Sequence, residues 1–392
     1  MTVKRPMKFT ERTHHLVSEG AYQVLAKAQE LESQGQNIIH LEIGQPDFET
    51  FPNISQAGII AIQEGYTRYT PPAGMKSLRE VIARDAGKQR GMEFTPEQVV
   101  VSPGAKPNLF FPTMALVEEG DEVIYPNPGF PTYEAMIKIA GGIPVPVPLL
   151  ENNQFSFDLA AFDKLLSNRT KLIILNSPSN PTGGIIPKGD LEYIAQAAIA
   201  NKCWVLSDEI YTRIVYDQER AYSIAALPGM AERTIIMDGF SKTYAMTGWR
   251  LGYGIMPPDL AEKVGLLLTH SVGSTAQFTQ FAGIEALTGP QDQVDLVVSE
   301  YRKRRDLIVS GLKQIPGVSC QNPQGAFYVF PNVKSLGKSS QEIADWILEQ
   351  AGVALLPGSA FGKFGEGYLR LSYANSMSNI QLALDRIGEL LN

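Results

Sequence analysis

At 392 residues the chain is long enough for two domains, or for one large α/β domain with a smaller satellite. Its 44% hydrophobic and 19% charged residues fall in the globular range, so a sizeable core is expected. A formal net charge of −7 argues against nucleic acid as the main partner, because a phosphate backbone demands a broad cationic face.

Tyr22, Leu25, Ala28 and Leu31 recur at helical spacing and predict a helix over 21–33. A short strand over 38–43 runs into the loop Gly44-Gln45-Pro46-Asp47, and helices are expected over 55–64 and 77–88. The segment 65–74 between those helices reads as irregular. From about residue 98 a pattern of strand, loop and helix repeats. Apolar strands over 98–101, 122–125, 171–175, 203–206 and 234–237 each end in a polar or glycine-rich loop, and 251–255 reads as one more strand. Short continuous apolar strands alternating with helices argue for a mostly parallel sheet covered on both faces. Ligands bind such sheets at the carboxyl ends of the strands, which is where these loops fall.

Beyond about residue 258 a long helical region runs to 314 with a break at Gly289-Pro290. A smaller α+β portion follows, with strands over 325–330, 353–356 and 368–372, a helix over 340–350 and a C-terminal amphipathic helix from Ser378. The expected division is an N-terminal arm with part of a small domain over 1–48, a large domain over 49–290 and a small C-terminal domain over 291–392. Arg302, Lys303, Arg304 and Arg305 form a basic cluster flanked by acids, which reads as a solvated or subunit-facing helix surface.

Cys203 and Cys320, the only cysteines, show no pairing motif, so a disulfide-built secreted protein is not expected. His14, His15, His40 and His270 lack metal-ligand spacing, and no Gly-x-Ser-x-Gly elbow is present. The basic N-terminus lacks an apolar segment of signal-peptide type, and no run of about 18 apolar residues occurs. A cytoplasmic protein without a membrane span or a metal is the expectation.

The stretch from Met237 to Arg250 holds a lysine just past a buried strand and an arginine eight residues later. Such a lysine can condense with an aldehyde cofactor and such an arginine can grip a phosphate; a surface turn with two ordinary cations would look the same. Other loops decide between them. Asn180-Pro181-Thr182-Gly183, Ser207-Asp208-Glu209-Ile210-Tyr211, Ser241-Lys242 and Gly248-Trp249-Arg250, in that order, resemble the class I aminotransferase family of fold type I. The resemblance spans nearly the whole chain, from Gly44 to Arg370. It implies a large domain with a mostly parallel seven-stranded sheet, a smaller α+β domain, and pyridoxal 5'-phosphate as cofactor.

The resemblance also implies roles. Lys242 would be the Schiff-base lysine and proton shuttle. Asp208 would pair with the pyridine nitrogen, which suits a carboxylate after a buried strand; an N-cap or a structural ion pair is the alternative. Tyr211 and Asn180 would bond the cofactor's phenolic oxygen, and Phe130 would stack on its ring. Gly104, Ala105 and Lys106, opening a helix, would bind the phosphate with Ser241 and Arg250. The family often has a serine where this chain has Gly239, so one hydroxyl contact is expected to be missing. Tyr69 would reach the phosphate of a neighbouring subunit in a homodimer, unless it is a turn aromatic packed on a proline. Arg370, with Gly44 and Asn180, would hold the substrate α-carboxylate; a structural salt bridge is the alternative.

The implied reaction is ping-pong transfer of an amino group from an L-amino acid to a 2-oxo acid. A lyase, cyclase or oxidase on the same scaffold is the alternative. The donor stays open: a broad pocket with 2-oxoglutarate or pyruvate as acceptor is the leaning, with His270 and Tyr22 as candidates for the side-chain pocket. The glycine-rich stretch 362–367 and Gly252-Tyr253-Gly254 lack the context of a dinucleotide site.

Overall fold

A computed structural model describes residues 9–10, 13, 16, 20–217 and 221–391; the basic N-terminal stretch 1–8 and the histidines 14 and 15 lie outside them. The strands are β1 (Ile39–His40), β2 (Val99–Ser102), β3 (Glu122–Asn127), β4 (Ile143–Leu150), β5 (Ser156–Phe157), β6 (Thr170–Asn176) and β7 (Trp204–Asp208). There follow β8 (Thr234–Gly239), β9 (Gly252–Ile255), β10 (Tyr328–Val329), β11 (Val353–Ala354), β12 (Leu356–Pro357) and β13 (Leu369–Ser372).

The large sheet has the order β2-β9-β8-β7-β6-β3-β4-β5. The run from β8 to β4 is parallel, while β2, β9 and β5 pair antiparallel with their neighbours. It is mostly parallel, as expected, but has eight strands rather than seven. Alternate side chains of its central strands enter different clusters: Leu172 and Ile174 of β6 one, Ile173 and Leu175 another. Ile235 and Met237 of β8 are likewise separated from Ile236. Burial on both faces is why these strands read as unbroken apolar runs. Helix Lys188–Ala200 covers one face with Leu191, Ile194, Ala195 and Ala198.

β4, Ile-Pro-Val-Pro-Val-Pro-Leu-Leu, was not among the expected strands, because three prolines argue against a ladder position. Its prolines alternate, and the intervening residues face β3, beginning with Ile143, whose N–H donates to the Asp121 carbonyl at 2.8 Å. The proline nitrogens therefore lie on the outer side, where β5 pairs only with Leu149 and Leu150.

The expected long helical region is three helices, Pro258–Thr269, Gln277–Thr288 and Asp292–Leu312. The basic cluster is drawn into ion pairs: Arg304 with Asp47 and Glu300, Arg305 with Asp217. β10, β13 and β12 form a small antiparallel sheet, and β1 pairs in parallel with β11, joining an early segment to a late one. Among the described residues no helix is long and apolar enough to cross a membrane.

Candidate active site

The parallel strands β3, β6, β7 and β8 end on the same side of the sheet, and their following loops wall a cavity of about 690 Å³. That volume suits a cofactor or small substrate. Asp208 closes β7, and Lys242 lies three residues past the end of β8 at Gly239. Both face the cavity, as do Phe130, Asn180, Tyr211, Ser241, Arg250 and Arg370. Gly44, Ala105 and Lys106 complete the part of the wall expected from sequence.

Gly104 and Tyr69 do not line it. Gly104 backs Arg250: at φ +81 a Cβ there would sit 2.1 Å from the Arg250 guanidinium nitrogen Nη2. The turn is fixed by Ser102, whose hydroxyl donates to the Gly104 carbonyl at 2.6 Å while accepting from the Asn108 amide at 2.6 Å. It leads directly into helix Pro107–Leu116, whose N-terminus opens toward the cavity wall at Ala105 and Lys106. Tyr69 is 99% exposed and does not line the cavity of its own chain.

Lys242 donates from Nζ to the Gly44 carbonyl at 2.6 Å. Burial, and then the nearby Arg370 and Arg250, bring its ammonium down to about 8. Asp208 is pushed the other way, up to about 7, chiefly by burial; the Tyr133 hydroxyl and the Ile210 N–H oppose that push. Tyr133 donates to Asp208 Oδ2 at 2.6 Å, and among the described residues no cation forms an ion pair with the carboxylate.

Arg370 sits within β13, 4% exposed, and donates to Asn180 Oδ1 at 3.2 Å and to the Glu42 carbonyl. Its guanidinium lies over the rings of Tyr328 and Phe361, at 4.7 and 5.0 Å. Lys106 places its ammonium 5.0 Å from the Phe130 ring centre. Tyr211 OH lies 2.7 Å from Tyr328 OH.

Behind the cavity, Arg90 bridges Glu209 at 2.8 Å and Asp238 at 3.0 Å, all three almost fully buried. It ties the residue after Asp208 to β8, the strand that delivers Lys242.

Sequence reasoning missed Tyr133, Asn176 and Tyr328. Asn176 closes β6, accepts the Asn180 N–H at 2.8 Å and donates to the Asp208 carbonyl at 3.1 Å, stapling two site loops together. Its place, a polar residue ending an apolar strand, was the available signal. Tyr133 and Tyr328 read as apolar members of a helix and a strand, and nothing in those patterns marks their hydroxyls. Of the two side-chain-pocket candidates, Tyr22 lines the cavity, whereas His270 lies exposed at the end of helix Pro258–Thr269 and does not.

The family profile "Aminotransferase class I and II" matches residues 36–387. The putative aminotransferase YugH of Bacillus subtilis is 42% identical over 358 residues, 91% of this chain and 92% of that protein. The aspartate aminotransferase of Geobacillus stearothermophilus is 38% identical over 391 residues, 98% and 99% of the two chains. The solved structure of aspartate aminotransferase from Thermus thermophilus with maleate superposes with a TM-score of 0.94 at 35% identity, covering 98% of this chain and 100% of that one.

Proposed function

The chain belongs to the class I and II aminotransferase family, and from that premise we propose that its cavity holds pyridoxal 5'-phosphate and passes an amino group from an L-amino acid to a 2-oxo acid. The observation that carries the reading is the convergence of Lys242, Asp208, Arg250 and Arg370 on one cavity from three separate segments: the end of β7, the loop between β8 and β9, and β13.

The residues present fit the cofactor. Burial raises the Asp208 carboxyl to about 7, and a protonated ring nitrogen is the partner that would keep it ionised. Gly104 lacks the Cβ that would collide with Arg250, which leaves the guanidinium seated beside the start of helix Pro107–Leu116. That guanidinium, the helix N-terminus and the Ser241 hydroxyl make a phosphate cradle. Phe130 would offer a ring face, and Tyr211 and Asn180 would bond the phenolic oxygen. When bound, the cofactor supplies an aldehyde to carry the amino group and a ring to accept electrons from the substrate Cα.

Lys242 would hold the cofactor through Nζ and, once displaced by substrate, move the proton at Cα. An amine near 8 is neutral in useful proportion at mildly alkaline pH, as a base must be. Arg370 would grip the α-carboxylate with its guanidinium fork, seated by Asn180, Glu42 and two aromatic rings. Lys106 adds a cation to a wall that already holds Arg250 and Arg370, which favours a donor and an acceptor with a second carboxylate.

The same reading makes the protein a cytoplasmic homodimer in which Tyr69, exposed on one subunit, completes the phosphate site of the other. It also divides the chain into a large domain over 49–290 and a small one over 291–392 that takes in part of 1–48; the pairing of β1 with β11 supports that union. Initial rates with aspartate, alanine or phenylalanine against 2-oxoglutarate test the reading. Parallel double-reciprocal lines with aspartate preferred are expected. Converging lines, or ammonia released in place of amino transfer, would overturn it.

A further inference from the structure

Tyr328 is 1% exposed among its neighbours, yet it reaches the cavity wall. Three groups of the site meet on this side chain. Its hydroxyl is 2.7 Å from that of Tyr211, and the two rings pack edge to face, 5.7 Å apart at 84°. The Arg370 guanidinium rests on its ring face at 4.7 Å. A Cβ on Gly44 would lie 2.2 Å from its hydroxyl oxygen, so the loop that receives Lys242 is packed directly on it. The backbone enforces this: β10 pairs with β13, placing Tyr328 opposite Ser372 and next to the strand of Arg370.

We infer that Tyr328 is a positioning residue: its hydroxyl donates to Tyr211 and so turns the Tyr211 proton toward the cofactor, while its ring seats Arg370 for the substrate carboxylate. The inference rests on the proposed role of Tyr211. Each phenol carries one proton, and only one proton fits between two oxygens 2.7 Å apart. If Tyr211 supplied it, none would remain to point into the cavity. With Tyr328 as donor, Tyr211 also becomes the stronger donor, because linked hydrogen bonds polarise one another. Burial keeps both phenols protonated; the charged groups facing the pair are Arg370, Asp208 and Lys242.

Three variants of the cofactor-loaded protein separate the two roles: Tyr328→Phe keeps the ring, Tyr328→Leu removes it, and Tyr211→Phe is the reference. The readouts are the pH midpoint of the cofactor's visible absorbance and the Kd of maleate, with melting of the cofactor-free protein as a check of folding. In Tyr328→Phe the midpoint should rise by about half a pH unit, since a weaker donor leaves the acceptor oxygen more basic. Its maleate Kd should stay within about threefold of wild type, whereas Tyr328→Leu should weaken maleate roughly tenfold. A midpoint unmoved in Tyr328→Phe but moved in Tyr211→Phe overturns the inference, as does unchanged maleate binding in Tyr328→Leu. A midpoint unmoved in both overturns the role of Tyr211 itself, and the inference with it.

Discussion

Gly104→Ala gives the sharpest test of the phosphate cradle. The new Cβ would stand 2.1 Å from Arg250 Nη2 and 2.8 Å from its guanidinium carbon. Backbone cannot yield there easily, since Ser102 and Asn108 fix the turn, but a guanidinium can swing away. Alanine at φ +81 costs about 1 kcal/mol, and releasing Arg250 also gives up its 2.9 Å bond to the Thr247 carbonyl. Folding should therefore survive, with the cofactor-free protein melting only a few degrees lower. Cofactor binding should suffer more. Losing one hydrogen bond to a charged phosphate costs about 1.5–3 kcal/mol, or roughly 10- to 150-fold in Kd. An absorbance titration of the cofactor-free protein measures this directly. Arg250→Ala should lose a similar factor, and the double variant little more than either single one, because both act on the same contact. Wild-type affinity in Gly104→Ala, or additive losses in the double variant, would show that Gly104 and Arg250 do not serve one phosphate contact.

Three other perturbations bear on Asp208, Arg90 and Tyr69. The Asp208 carboxyl is raised from an ordinary 3.8 to about 7, so between those values the folded, cofactor-free protein binds more protons than the unfolded chain. Its stability should then fall as pH rises from about 4 to 7 and level off above; Asp208→Asn should flatten that slope in melting curves, and an unchanged slope would count against the assignment. Arg90→Met leaves Glu209 and Asp238 buried without their cation and should cost about 3–5 kcal/mol, read as a lower urea midpoint. A wild-type midpoint would show the network to be dispensable. Refolding Tyr69→Ala together with Lys242→Ala should restore about a quarter of wild-type activity, because half the dimers of a two-fold assembly would be hybrids with one intact site. No recovery would argue against a shared active site.

Much of the site was legible because chemistry and topology coincide at strand ends. Asp208, Lys242 and Asn180 each follow an apolar strand, and a polar residue there faces the shared carboxyl-terminal edge of a parallel sheet. Local pattern failed where tertiary context overrides it. The prolines of β4 look like strand breakers, yet they point away from β3 and cost it no ladder bond. Tyr328 sits in an apolar run, and its value lies in contacts with Tyr211, Gly44 and Arg370, up to 284 positions away for Gly44, which no window along the chain contains. Gly239, expected only as a lost hydroxyl, pairs with Gly252 across β8 and β9, where a Cβ would meet the Gly252 Cα at 3.1 Å. His270 was a candidate by residue type alone, and the helix it ends carries it to solvent.

In the proposed reaction the cavity stores the amino group between two half-reactions. Cofactor-loaded protein mixed with excess L-aspartate and no acceptor should release one equivalent of 2-oxo acid per subunit and then stop, with the visible absorbance of the cofactor lost. Adding 2-oxoglutarate should restore that absorbance. Continuous turnover without an acceptor, with ammonia accumulating, would rule out storage of the amino group.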